Sequence, residues 1–223
     1  KFPWMTFDQS EASIAAMGEN YFAMNRDKVI GLAYWGAIDY LGESQGWPKK
    51  GSAQGVFDLS LEPKPKAYYM KSFFKDDEPL VHIAVTDTKE DAMWNGIQTG
   101  NDGMSDHWNR TPGKKLAITT YTNAEEVELI VNGKSYGTKK NDISSAKMRN
   151  QIRWKDIEYQ SGYCEAIART NGKIVARHRI ETTGKPVKLV IESDNPNWKA
   201  DGLDLQHLKL RSEERRVGKE CRS

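Results

Sequence analysis

The chain has 223 residues, with 33 Lys and Arg against 31 Asp and Glu for a formal charge of +2. That length suits one or two domains with a real core. Residues 211–223 carry the whole excess, five basic against three acidic side chains, so the rest is neutral. A neutral body offers no electrostatic footprint for nucleic acid or a membrane surface, and no run approaches the ~18 apolar residues of a membrane span.

The first region alternates strand and helix patterns. Pro3 to Phe7 is a short apolar stretch, and Gln9 to Met24 carries Ile14, Met17, Tyr21 and Met24 at helical spacing. Val29 to Gly36 is continuously uncharged, as in a strand buried on both faces, and Asp39 and Glu43 follow it. A Gly/Ser/Pro-rich loop from Gly42 to Gly55 leads to Pro63 and Pro65, which suit a helix start. Strand, helix, strand, long loop and helix make the rhythm of an α/β barrel or a doubly wound sheet.

Lys75 to Pro79 is a polar linker, and beyond it the apolar period becomes two. Asn132-Gly133 and Asn171-Gly172 each stand between two strand-like arms. Asn-Gly tolerates the positive φ angles of a two-residue hairpin turn. With Leu80–Val85 and Gln151–Ile157 the pattern predicts about six or seven strands, the count of an immunoglobulin-like sandwich. Residues 186–210 read as the opening strands of another β domain. Residues 211–223 lack apolar periodicity and read as a vector-like remnant. Cys164 is then the one cysteine of the body, and no disulfide is expected.

Few residues carry chemistry by spacing alone. Asp8-x-x-Glu11 ahead of a helical pattern is a capping box. His82, His107, His178 and His207 lie in different segments without ligand spacing, so no zinc site is expected. No phosphate loop or nucleophile elbow occurs. Within Ser105 to Arg110, Trp108 reads either as an aromatic platform for a glycan or as a loop tryptophan packed on the sandwich. Lys139-Lys140 and Arg177/Arg179 read as solvated strand faces.

Tyr34-Trp35-Gly36-Ala37-Ile38-Asp39-Tyr40-Leu41-Gly42-Glu43, the run from Gly55 to Tyr69, and the run from Tyr121 to Gly137 occur in one order. With Arg177 to Pro186 and Ala200 to Leu205, they resemble the C-terminal half of glycoside hydrolase family 2 enzymes of the β-galactosidase type. The resemblance, which runs to Leu210, implies three parts: 1–78 as the end of a (β/α)8 barrel, 79–185 as an immunoglobulin-like sandwich, and 186–210 as the start of a further domain, with 211–223 set apart by composition as a non-native tail. It implies retaining hydrolysis of a β-linked, galactoside-like sugar by two carboxylates, with no cofactor. The nucleophile position falls at Asp8 or Glu11, where the family has a Thr-Glu pair and this chain reads Phe-Asp-Gln-Ser-Glu.

By the same resemblance Trp35 forms a wall of the sugar pocket, whereas Asp39 and Glu43 lie in the loop over it as substrate contacts. The acid/base belongs to the fourth barrel strand, before Lys1, so this piece is expected to be inactive alone. A secreted or periplasmic setting is implied. The alternative is a non-catalytic β-sandwich binding or spacer module of a surface protein. A family member that has lost catalysis is a third reading.

Overall fold

In the computed structural model the described residues are 27–28, 36–42, 51–52, 55–75, 77–87, 93–94, 97–98 and 104–216. They are mostly β, with one helix. The strand expected at Pro3–Phe7, the helix at Gln9–Met24 and nearly all of the strand at Val29–Gly36 lie outside them.

β1 (Tyr40–Leu41) pairs antiparallel with β2 (Gly51–Ser52). Beside this pair, Ile38 bridges Phe57 in parallel and Phe57 bridges Pro63 antiparallel. The Val56 and Phe57 N–H groups both donate to Ala37 O, at 2.9 and 3.0 Å. α1 (Pro65–Phe74) follows, with proline at its first position as expected. A helix leaves its first N–H groups unbonded, so a residue without one, its φ already fixed, costs nothing there.

The following strands are β3 (Val81–Asp87), β4 (Met93–Trp94), β5 (Ile97–Gln98), β6 (Met104–Ser105), β7 (Lys115–Thr122), β8 (Glu126–Val131), β9 (Lys134–Lys140), β10 (Gln151–Glu158), β11 (Tyr163–Thr170) and β12 (Lys173–Glu181). Two four-stranded antiparallel sheets form from them, ordered β10-β7-β3-β6 and β12-β11-β8-β9. Both predicted hairpins appear. Asn132 and Gly133 turn β8 into β9 with φ of 48° and 81°, and Asn171 and Gly172 turn β11 into β12 with 51° and 73°. The predicted strands Leu80–Val85 and Gln151–Ile157 are β3 and β10.

The core lies between the sheets. Ile83 and Val85 of β3, Leu116 and Ile118 of β7, Val127 and Leu129 of β8, and Cys164 and Ala166 of β11 are all fully buried in it. Successive residues of a strand face opposite ways, so His82 and Ala84 of β3 point to the outer face. α1 covers that face. Its Tyr69 packs with Ala84, Met104 and Tyr121, and the Tyr69 hydroxyl donates to Arg149 O at 3.2 Å. Asn150 Nδ2 donates to Ser72 O at 3.0 Å while the Asn150 N–H donates to Asn141 Oδ1 at 2.8 Å. These bonds fasten the helix to the 141–150 loop.

Beyond the sandwich, β13 (Thr183–Ser193) and β14 (Leu208–Arg216) form a two-stranded antiparallel ribbon. β14 runs past Leu210, so it takes in residues whose composition set them apart as a tail. Val187, Leu189, Ile191, Leu208 and Leu210 are all exposed.

Candidate functional site

Of the five residues singled out by the sequence, Asp8, Glu11, Trp35 and Glu43 lie outside the described residues. Asp39 is described, and it clamps the loop ahead of α1. Its Oδ1 accepts the Gly55 N–H at 2.9 Å and Lys64 Nζ at 2.6 Å, and its Oδ2 lies 2.5 Å from the same ammonium. Both side chains are largely buried, 13% and 10% exposed. A charge pair so withdrawn from water needs close geometry to offset desolvation, and removing one partner strands the other. Gly55 makes the clamp possible, because a Cβ there would lie 2.4 Å from Asp39 N and 2.5 Å from Ile38 C.

Beside the clamp opens a cleft of about 520 Å³. It is lined by Pro63, Lys64, Pro65 and Tyr68, from the approach to α1 and its first turn, by Met104, Ser105 and Asp106, at the end of β6, and by Asp58 and Glu62. Asp58 Oδ1 accepts the N–H groups of Ser60 and Glu62 at 2.8 and 2.9 Å, which shapes the turn that carries Glu62. Glu62 pairs with Lys209 of β14. Arg110 Nη2 donates to Ser105 Oγ at 2.6 Å.

Behind Tyr68 lies a stack that links three elements. The Tyr68 and His82 rings are nearly parallel, 3.6 Å between centroids, and His82 stacks in turn on His178 of β12 at 4.4 Å. His178 Nδ1 accepts the Ile83 N–H at 2.9 Å, so the remaining proton of a neutral ring sits on Nε2. His82 is 3% exposed. Its Nε2 is buried without a hydrogen bond among the described groups, 3.9 Å from Asp106 Oδ2. Burial, with His178 adding to it, pushes the His82 imidazole down to about 3. Burial lowers His178 too, against the opposing pull of Asp106. Burial raises the Tyr68 phenol, and Asp106 and then Glu62 raise it further.

The stack was not legible in the sequence, because Tyr68, His82 and His178 share no spacing that ties them together. Trp108, left open as platform or packing residue, is settled by the structure. It is fully buried, donates from Nε1 to Gln160 O at 3.2 Å, and meets Tyr159 edge-on at 5.3 Å. Of the strand faces read as solvated, Lys139 reaches Arg153 O and Arg179 lies over the Tyr163 ring at 3.7 Å.

Residues 113–176 match a family model described as a domain of unknown function, DUF4982. Over 184 residues, 81% of this chain, the sequence is 33% identical to the β-galactosidase BoGH2A of Bacteroides ovatus, of which it covers 18%. A putative β-glucuronidase of Formosa agariphila is 28% identical over 187 residues, 80% of this chain and 16% of that protein. The chain thus spans less than a fifth of the length of these curated relatives. Among solved structures, a glycosyl hydrolase family 2 member from Bacteroides cellulosilyticus superposes with a TM-score of 0.74 at 30% identity, over 88% of this chain and 27% of that one. A family 2 β-glucuronidase shares the fold at 23% identity, with a TM-score of 0.65 over 99% of this chain and 21% of that one.

Proposed function

From a chain whose homologues and structural neighbours are family 2 glycoside hydrolases, we propose that it is a piece of a retaining β-glycosidase of the β-galactosidase type. The observation that carries this reading is the length of the similarity. An alignment of 184 residues cannot fit inside the 79–185 sandwich, so it extends into flanking segments that a free-standing binding or spacer module would not share. In this reading residues 1–78 end a (β/α)8 barrel, with α1 as its last helix. The sandwich is immunoglobulin-like: its first, second and fifth long strands share one sheet, and its third, fourth, sixth and seventh share the other. The ribbon from Thr183 opens a further β domain.

The loop held by Asp39, Gly55 and Lys64 follows the eighth barrel strand, at the end where barrel enzymes carry their sites. Asp39 orients that loop through its two partners, and Trp35 presents an indole face to the C–H face of the sugar. Asp8 or Glu11 is the nucleophile, standing roughly 5–5.5 Å from an acid/base contributed by an earlier barrel strand. The enzyme's glycosyl intermediate forms on that nucleophile, and this piece alone leaves the leaving group without a proton donor.

The test is an assay of aryl β-galactoside hydrolysis. The 223-residue chain is expected to give no turnover, while a polypeptide extended upstream in the same reading frame hydrolyses the substrate and loses activity in Asp8→Asn or Glu11→Gln. Turnover by the chain alone overturns the fragment reading. Full kcat in both variants removes the nucleophile assignment.

A further inference from the structure

We propose that the cleft between Pro63–Tyr68 and Met104–Asp106 is a binding subsite for a neutral, hydroxyl-rich ligand, a short saccharide without uronate groups. The proposal rests on the glycosidase reading for its ligand class and adds to it a selection against acidic sugars.

The lining has the two kinds of surface a sugar ring needs. Pro63 and Tyr68, both partly exposed, offer apolar area to C–H faces above the buried Pro65 and Met104, and Asp58, Glu62, Ser105 and Asp106 bring oxygens to hydroxyls. The volume, about 520 Å³, falls among those of pockets that hold small ligands. Hydroxyls donating to ionised carboxylates make short, charge-assisted bonds.

The charges decide between neutral and acidic sugars. Three lining residues are carboxylates and one is an amine, Lys64, whose ammonium already lies between both oxygens of Asp39. A cleft whose lining charges are mostly of one sign disfavours a like-charged ligand. A uronate entering here would meet Asp106 and Glu62, where the nearby cations are already engaged: Lys64 with Asp39, Lys209 with Glu62, and Arg110 with Ser105. The Tyr68 phenol senses the same field, since both carboxylates disfavour its ionised form. Nor does the cleft suit a metal ion: among the described residues, no group of three or more His, Cys, Asp or Glu is placed to hold one.

His82 supplies an independent sign of a ligand. It is nine-tenths buried behind Tyr68, its Nε2 makes no hydrogen bond among the described groups, and that nitrogen turns toward Asp106 on the cleft wall. Buried polar atoms are rarely left unpaired in native proteins. The 3.9 Å between Nε2 and Asp106 Oδ2 is too long for a direct bond. It is the spacing at which one oxygen, about 2.8 Å from each, satisfies both. A ligand hydroxyl, or a water that the ligand holds, would fill that position.

The test is titration of the 223-residue chain with methyl β-galactoside and with methyl β-galacturonide, which differ only in the carboxylate, followed by backbone amide shifts at Tyr68, Ser105 and Asp106. Saturable shifts with the galactoside, and binding at least about tenfold weaker for the galacturonide, are expected; that ratio corresponds to about 1.4 kcal/mol. Tyr68→Ala should abolish the galactoside shifts. Asp106→Asn, at a half-exposed position where folding is not at stake, should narrow the ratio several-fold. Silence with both sugars, or equal or tighter binding of the galacturonide, overturns the proposal. A longer polypeptide that hydrolyses aryl β-galactosides while the cleft stays silent would overturn this subsite and leave the glycosidase reading standing.

Discussion

β8 and β13 follow the same alternation and meet opposite fates. In β8, Val127, Leu129 and Val131 are at most 4% exposed, because β7 and β3 of the facing sheet lie over them. In β13, Val187, Leu189 and Ile191 stand at the same spacing and are 64, 72 and 62% exposed. Opposite them Leu210 faces Ile191 in register, and Leu208 faces Ser193, so the apolar side chains gather on one face of the ribbon. Lys188, Val190 and Glu192 alternate with them on the other face, where Glu192 stands opposite Lys209 in register. Alternation therefore specifies which face is apolar but not what covers it. A two-stranded ribbon is marginal in water by itself, and what the sandwich has in addition is a second sheet.

The largest loss of stability is expected at the end of the sandwich, where Trp108 closes the core. Besides its ring contact with Tyr159, its carbonyl accepts the Thr182 hydroxyl at 3.3 Å, just before the ribbon begins. Trp108→Ala should cost about 3–5 kcal/mol, the range for removing a large buried aromatic. Urea denaturation followed by circular dichroism measures it. A loss below about 1 kcal/mol would mean that the sandwich core does not depend on this residue, and its contrast with the ribbon would shrink.

How much of this was legible follows from which interactions are local. The Asn-Gly turns, the proline-led helix and the long strands of the sandwich follow from the sequence because turn chemistry and period-two alternation are written in neighbouring residues. The face that α1 covers was not legible, since Tyr69 and Tyr121 are joined only by the folded sheet. The cleft carries no sequence signal for the same reason: Glu62, Tyr68 and Asp106 come from two segments with no shared motif. The sequence singles out Asp39 as a substrate contact in the loop after a strand, and in the structure its carboxylate binds Gly55 N–H and Lys64 Nζ. Its partners, Gly55 and Lys64, lie across a long loop whose path the sequence does not state.

A smaller effect is expected from pH, through the histidine stack. His82 faces Tyr68 of α1, His178 of β12 and Asp106 beyond β6, and burial holds it neutral down to about 3. In the unfolded chain a histidine takes its proton near pH 6.5. Between these values the unfolded state binds the extra proton, so stability is full above about 6.5 and declines as the pH falls toward 3. The slope is at most about 1.4 kcal/mol per pH unit for one such group, giving a loss of about 2–3 kcal/mol near pH 4.5. His82→Phe keeps a ring between Tyr68 and His178 without a titrating nitrogen. Denaturation series over pH should show a shallower acid decline in the variant. Equal slopes in the two proteins would remove His82 from the account, and since the ribbon lacks this stack its local melting should not follow the same curve.

The smallest expected effect bears most directly on the ribbon. Ile191 is 62% exposed and faces Leu210 across the strand pair. If nothing in this chain covers that face, Ile191→Lys changes global stability by no more than about 0.5 kcal/mol, as exposed substitutions do. Exposed apolar ribbons promote self-association, so the lysine should also lower the light scattering of concentrated solutions and the binding of a hydrophobic dye. A loss above about 1.5 kcal/mol would show that the face packs against another part of the chain. The contrast with β8 would then be one of degree. Unchanged stability together with reduced scattering would leave it as drawn: the same alternation, with a second sheet over one face and solvent over the other.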